Sequence, residues 1–109
     1  VVNVPMKDTM EEYVALAAKT ANEQKEYFTG PLGNDVFQFS PMPWVSYTHI
    51  SHTNSGKKDN ATPLFDWGKY FERDGKTLLP FSVQAHHSFV DGLHIGKLAD
   101  KVQRFLDEY

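Results

Sequence analysis

Apolar residues recur at helical spacing near both ends of the chain. Near the start they stand at Met10, Val14, Ala17, Ala18 and Ala21, and near the end at Ile95, Leu98, Val102, Phe105, Leu106 and Tyr109. Thr9 and Glu12 have the spacing of a capping box, so the first pattern predicts a helix that follows Thr9 and runs to about Phe28. The Thr-Gly-Pro sequence at 29–31 would end it. The second pattern predicts a closing helix over 93–108.

Between these helices the apolar residues alternate with the period of β-strands. The pattern predicts strands over 36–39, 44–50, 64–71 and 77–87. Asp74-Gly75 tolerates positive φ, so a hairpin turn is predicted between the last two strands. Residues 51–62 are almost entirely polar, which predicts an exposed loop. The element order predicts an α+β fold: a largely antiparallel sheet with helices packed on one face.

The composition is that of one small globular domain. Hydrophobic residues make up 40% of the 109 residues and aromatic residues 14%, which is too apolar for a disordered chain. A net charge of -3, with both signs mixed along the chain, argues against a nucleic-acid surface. The lack of cysteine excludes thiol catalysis, and no apolar run is long enough for a membrane-spanning helix.

The stretch richest in chemistry is the end of the last predicted strand. Regular alternation places His86 and His87 on opposite faces of the sheet, and Asp91-Gly92 follows as a turn before the closing helix. Free imidazole titrates near neutral pH, so a histidine held in one orientation can act as a general base. From these residues alone, His87 is either a base or a structural strand-end histidine. Asp91 either helps to hold it or caps the helix.

Several segments together resemble one enzyme family. Residues 86–92 have the pattern His-His-x-x-x-Asp-Gly, which is similar to that of chloramphenicol acetyltransferase and the wider family of coenzyme A-dependent acyltransferases. Residues 43–48, Pro-Trp-Val-Ser-Tyr-Thr, are similar to the Pro-Trp-Val-Ser-Phe-Thr segment of those enzymes. The Gly-Lys-Tyr sequence at 68–70 and the closing helix match in kind and order, so the resemblance covers most of the chain from about Val36 onward.

The resemblance implies O-acetyl transfer from acetyl-coenzyme A to a small hydroxyl-bearing acceptor, chloramphenicol or a related alcohol, as in antibiotic resistance. It implies that His87 is the general base, His86 a structural partner, and Asp91 a structural acid paired with an arginine from the other half of the enzyme. It also implies a cytoplasmic homotrimer with no nucleic-acid or membrane partner. Such enzymes are about twice as long, so residues 1–109 are expected to be the C-terminal portion of the domain, half of its two-layer fold.

Two positions depart from the family's pattern. His49 stands where the best-known members have a serine that hydrogen-bonds the tetrahedral oxyanion, so His49 is the candidate donor. Asp66 stands where they have a threonine, and a carboxylate beside developing negative charge needs a partner, for which His49 is one candidate. These departures predict an altered acceptor. The alternative is that His49 is an ordinary sheet residue and Asp66 a surface carboxylate.

Two other functions stay open. One is a dihydrolipoyl-type acyltransferase, against which the Pro-Trp-Val-Ser segment counts; the other is a non-catalytic binding or assembly module that retains the fold. Five histidines without cysteine suggest zinc, through His49, His52, His86 and His87. The indication is weak, because the spacing is irregular and His86 and His87 are predicted to point apart. We therefore expect no metal. The sequence indicates no particular residues for binding coenzyme A.

Overall fold

The computed structural model describes residues 2–26, 35–52 and 61–109. The chain divides into two compact units, Val1–Leu32 and Gly33–Tyr109. Within the described residues, the first unit contains helix α1 (Met10–Glu23), and the second contains the strands and helix α2 (Gly92–Glu108). The residues predicted to carry out chemistry therefore all belong to the second unit.

Helix α1 begins where its capping residue predicts. Thr9 has an extended backbone, with φ at -123°, and its hydroxyl accepts a hydrogen bond from the Glu12 N–H at 3.2 Å. The first N–H groups of a helix have no partner within the helix, so this contact fixes the starting point.

The end of α1 comes earlier than the predicted Phe28. The helix stops at Glu23, and the backbone of Gln24 has left the helical conformation. The side-chain amide of Gln24 donates to the Glu26 carbonyl at 2.7 Å, which holds the chain in a turn. Such a local side-chain bond competes with continuation of the helix. Phe28 and the predicted stop at 29–31 lie outside the described residues.

The second unit contains a three-stranded sheet and a separate hairpin. The strands are β1 (Gln38–Met42), β2 (Leu64–Gly68), β3 (Phe71–Arg73), β4 (Lys76–Leu78) and β5 (Phe81–Gln84). The larger sheet has the order β1-β2-β5, with β1 parallel to β2 and β2 antiparallel to β5, while β3 and β4 form the antiparallel hairpin. The predicted hairpin turn is confirmed, since Asp74 and Gly75 have φ values of 52° and 76°. The predicted α+β class with largely antiparallel pairing is confirmed as well.

The prediction of single long strands over 64–71 and 77–87 is wrong, because each stretch divides into two strands. The Gly68 N–H donates to the Pro80 carbonyl at 3.1 Å, and Pro80 has no N–H with which to continue a ladder. β2 and β5 therefore stay in the larger sheet, while β3 and β4 form the hairpin beyond this break.

Strand β1 lies further along the chain than predicted. The pattern predicts a strand over 36–39, whereas β1 begins at Gln38, whose N–H donates to the Pro63 carbonyl at 2.9 Å. β1 also includes Pro41. An edge strand tolerates proline because only one of its sides needs hydrogen-bond donors, and β1 is an edge of the described sheet.

The predicted strand over 44–50 is wrong, because the structure has no strand in that segment. The Val45 N–H donates back to the Met42 carbonyl at 3.2 Å, which closes a turn directly after β1. The Val45 carbonyl then accepts from the Lys69 N–H at 2.7 Å. These two bonds take the backbone groups that a strand would use, and the segment runs on as an irregular connection.

The larger sheet has one polar and one aromatic face. The register pairs Ser40 with Asp66 and Asp66 with Ser82, so these three side chains share a face. The opposite face contains Phe39, Phe65, Trp67 and Phe81. Neighbouring rings there lie 5.3 to 6.2 Å apart between centroids. Among the described residues no hydrophobic side chain is fully buried, whereas Asp66 is.

Candidate active site

The two adjacent histidines lie in the turn between β5 and α2 rather than on a strand. β5 ends at Gln84, so the predicted extension to His87 is wrong. The His86 carbonyl accepts from the N–H groups of Phe89 and Val90, each at 3.1 Å, which bends the chain before it enters α2. Strand alternation is therefore not what orients the two imidazoles.

The two imidazoles use their Nδ1 atoms in opposite ways. Nδ1 of His86 accepts from the Ser88 N–H at 3.2 Å, so the proton of the neutral ring is on Nε2. Nδ1 of His87 faces the Val90 carbonyl at 3.4 Å, and a carbonyl only accepts, so this neutral ring has its proton on Nδ1. The lone pair of His87 is then on Nε2, and the residue is exposed. An imidazole in this state is available as a base.

His86 has the surroundings of a structural residue. It is half-buried, and its ring lies against that of Phe89 with 5.5 Å between the centroids. Its carbonyl and its Nδ1 both take part in the turn described above. Loss of this side chain should therefore mainly lower the stability of the turn.

Asp91 caps helix α2. Its Oδ1 accepts from the N–H groups of Leu93 at 3.0 Å and His94 at 3.3 Å. Nδ1 of His94 accepts in return from the Asp91 N–H at 3.1 Å, which completes a capping box. The carboxylate thus fixes the point at which the histidine turn joins the helix, one of its two predicted roles. Its pairing with an arginine from the other half of the enzyme stays a prediction.

Asp66 is a buried charge on the polar face of the sheet, with 1% of its surface exposed. Both of its oxygens lie 3.0 Å from Nε2 of His52, and Oδ2 also accepts from the Ser82 hydroxyl at 3.2 Å. The partner is thus His52 and not His49, which is exposed in the segment without strand structure. Because Asp66 is buried, the alternative that it is a surface carboxylate is also wrong. As an oxyanion donor, His49 stays a prediction.

The pairing of His52 with Asp66 is what the sequence pattern does not reveal. His52 stands in a polar stretch that predicts only an exposed loop, and residues 53–60 of that stretch lie outside the described residues. The segment before His52 lies over the polar face of the sheet, because the Tyr47 ring packs against Gly68. The one available signal was Asp66, since a carboxylate in the middle of an apolar strand needs a hydrogen-bonding partner.

Two further features of the described residues bear on the site. Within 2–26, 35–52 and 61–109, no three histidine, aspartate or glutamate side chains converge as metal ligands would. No helix in the same ranges is long and apolar enough to cross a bilayer.

A family-wide sequence profile covers almost the whole chain. The profile described as chloramphenicol acetyltransferase matches residues 3–103. The chain belongs to the chloramphenicol acetyltransferase family. The resemblance inferred from the histidine motif and the Pro-Trp segment is thereby confirmed, and the profile begins well before Val36, where that resemblance begins.

Individual relatives show the same relationship. A chloramphenicol acetyltransferase of Proteus mirabilis is 34% identical over 82 residues, which cover 75% of this chain and 38% of the relative. A chloramphenicol acetyltransferase of Streptomyces acrimycini is 40% identical over 79 residues, which cover 70% of this chain and 36% of the relative. Chloramphenicol acetyltransferase 2 of Haemophilus influenzae is 29% identical over 102 residues, covering 94% and 48%. The chain therefore spans less than half the length of each of these relatives.

A solved chloramphenicol acetyltransferase structure has the same fold as this chain. The two align with a TM-score of 0.80 at 23% identity, over 94% of this chain and 52% of the other. At that identity the likeness shows the fold and no residue roles. His87, Asp91 and His49 therefore stay predicted site residues.

Proposed function

We propose that the protein containing this chain transfers an acetyl group from acetyl-coenzyme A to the hydroxyl of a small acceptor, chloramphenicol or a related alcohol. His87 is the general base. Acetyl-coenzyme A is a co-substrate, and no metal takes part. The family resemblance further favours a cytoplasmic homotrimer. Relatives named chloramphenicol acetyltransferase, which match 70% or more of this chain, support the class of reaction.

The reaction needs one proton carrier. Nε2 of His87 removes the proton of the acceptor hydroxyl while that oxygen bonds to the thioester carbonyl carbon. The carbonyl electrons move to oxygen, which gives a tetrahedral oxyanion. When the oxyanion collapses, the carbon–sulfur bond breaks and the imidazolium returns its proton to the leaving thiolate. The products are the acetyl ester and free coenzyme A, and the base is regenerated.

The observation that carries this proposal is the contact between Nδ1 of His87 and the Val90 carbonyl at 3.4 Å. A general base needs its lone pair on the nitrogen that faces the substrate, and a fixed proton on Nδ1 leaves that lone pair on Nε2. The residue is exposed, so a hydroxyl can reach it. His86 is half-buried and uses Nδ1 within the turn, which disfavours it as the base.

Asp91 and His49 have supporting roles in this proposal. Asp91 holds the start of α2 through its contacts with the N–H groups of Leu93 and His94, and so positions the turn that contains His87. It does not move a proton. His49 donates a ring N–H to the oxyanion, for which its exposed position leaves it available.

The proposal is tested by following thiol release from acetyl-coenzyme A with a thiol-specific reagent. Chloramphenicol and a panel of other small alcohols are supplied in turn to the full-length protein. We expect release that depends on the acceptor with at least one alcohol. A folded protein that releases no thiol with any alcohol would contradict the proposal and favour a non-catalytic module. Acetylation of dihydrolipoamide alone would favour the dihydrolipoyl type.

A further inference from the structure

The pair formed by His52 and Asp66 is costly as a purely structural device. Transfer of a carboxylate from water to the interior is unfavourable by several kcal/mol unless donors compensate for it, and an apolar residue of similar size is often at least as stable. Asp66 is 1% exposed and is compensated by His52 and Ser82. Strongly buried ionisable groups held by a specific partner are typical of functional sites.

The geometry also fixes which nitrogen of His52 is free. An ionised carboxylate only accepts hydrogen bonds, so Nε2, which lies 3.0 Å from both oxygens of Asp66, carries the proton. The lone pair of the neutral ring is then on Nδ1. The side chain of His52 is 34% exposed, although its partner is buried. Within the described part of the chain, the hydrogen bonds of the ring all run through Nε2.

A second polar atom on the same sheet face is also unused. Tyr47 packs against Gly68, which shares a face of β2 with Asp66. The Tyr47 hydroxyl is buried and has no hydrogen-bond partner in the part of the chain that the structure describes. Buried polar groups without a partner are rare in folded proteins, so this hydroxyl indicates a polar ligand or a polar group beside it.

We propose that His52 is a specificity-determining residue for the acyl acceptor. Its Nδ1 accepts a hydrogen bond from a second donor group of the acceptor, a hydroxyl or an amine, and Asp66 is the positioning residue that holds the neutral ring in the tautomer with its proton on Nε2. This assignment rests on the proposed acetyl transfer, and it adds that the acceptors are diols or amino alcohols. Only binding of the acceptor is involved, so no additional bond is made or broken.

The kinetic test compares chloramphenicol, which has two hydroxyl groups, with its analogue that lacks the second hydroxyl. We expect His52→Ala and Asp66→Asn, made in the full-length protein, to raise the KM for chloramphenicol about tenfold, as loss of one hydrogen bond predicts. Neither should change the KM for acetyl-coenzyme A or for the analogue. Ser40→Ala is the matched control, because Ser40 lies beside Asp66 in the sheet register but makes no hydrogen bond to it among the described residues. A KM for chloramphenicol that is unchanged in His52→Ala would overturn the proposal.

A second measurement does not depend on turnover. Nitrogen-15 NMR of the histidine rings reports which nitrogen carries the proton. We expect wild-type His52 to have its proton on Nε2, Asp66→Asn to give a mixture of tautomers, and chloramphenicol to shift the Nδ1 signal. If no acceptor is acetylated but that shift occurs, the proposed reaction fails and the binding site stands. If Nδ1 is protonated in the neutral ring, or if its signal does not respond to chloramphenicol, the assignment of His52 fails.

Discussion

His86 and His87 are neighbours in the chain, yet their neutral rings carry the proton on opposite nitrogens. Nδ1 of His86 accepts from the Ser88 N–H at 3.2 Å, whereas Nδ1 of His87 faces the Val90 carbonyl at 3.4 Å. In the neutral rings the proton is therefore on Nε2 of His86 and on Nδ1 of His87. Only His87 offers an unshared electron pair at Nε2, the nitrogen farthest from the backbone. This difference separates the expected effects of changing the two residues.

The contact between Gly68 and the Val45 carbonyl predicts a strict requirement for glycine. A Cβ at position 68 would overlap that oxygen and would also lie 3.0 Å from the Tyr47 ring. We expect Gly68→Ala to lower the free energy of unfolding by about 1–3 kcal/mol, as overpacking does elsewhere. Chemical denaturation measures this.

The matched control is Gly96→Ala in the middle of α2, where a Cβ would meet nothing within 4 Å. This change should stabilise the protein by up to about 1 kcal/mol, because alanine is the better helix former. Equal stability of Gly68→Ala and wild type would mean that the 45–47 segment does not lie against β2 in solution.

The burial of Asp66 predicts unequal effects for the two serines beside it. The Ser82 hydroxyl donates to the carboxylate at 3.2 Å, and a hydrogen bond to a charged group contributes about 1.5–3 kcal/mol. Ser82→Ala should therefore lower the free energy of unfolding by about that amount. Ser40 is the register partner of Asp66 on β1 but makes no hydrogen bond to it in the structure. Ser40→Ala should lower the free energy of unfolding by less than about 0.5 kcal/mol. Similar losses of stability in the two variants would contradict the hydrogen bond between Ser82 and Asp66.

The features predicted correctly from the sequence are local ones. Thr9 caps α1 through a backbone group three residues away, and the Asp74-Gly75 turn needs only the φ values that these two residues tolerate. The capping alternative for Asp91 is of the same kind, since its partners are two and three residues away. Signals of this sort depend on neighbours in the chain, so a single sequence contains them.

The features that were missed depend on contacts between distant segments. The strand break at Gly68 follows from its hydrogen bond to Pro80, and the partner of Asp66 is His52, 14 residues away. The alternation of apolar and polar residues does not show where a strand stops pairing with its neighbour in the sheet. It also cannot choose between His49 and His52 as the partner of a buried carboxylate, because that choice depends on how the irregular 43–52 segment lies over the sheet.

The capping box at Asp91 predicts separable effects on stability and rate. Asp91→Ala removes the oxygen that accepts from Leu93 and His94 and should cost about 1 kcal/mol of stability. Asp91→Asn keeps a side-chain acceptor, so we expect a smaller loss and part of the acetyl transfer rate. Thermal melting and thiol release measure the two effects. If Asp91→Asn were as inactive as His87→Ala and as stable as wild type, Asp91 would have a direct chemical role.

The position of His49 predicts a change in substrate choice. If its bulky ring replaces a compact hydroxyl donor, chloramphenicol should be a poor substrate and His49→Ser should improve its turnover. One oxyanion donor contributes about a hundred- to a thousandfold in rate, so the gain is measurable. His49→Ala is the control, because it removes the ring without supplying a hydroxyl. Efficient acetylation of chloramphenicol by the wild type would contradict an altered acceptor.

The most direct test of His87 as the base is the acetyl-transfer rate of His87→Ala and His86→Ala in the full-length protein, measured beside their thermal stability. His87 is exposed, so its variant should melt like the wild type while its rate falls by about a hundred- to ten-thousandfold, the range of a general base. His86 is half-buried in the turn, so its variant should lose stability and keep most of its turnover. Equal losses of rate in two equally folded variants, or a wild-type rate in His87→Ala, would contradict the assignment of His87.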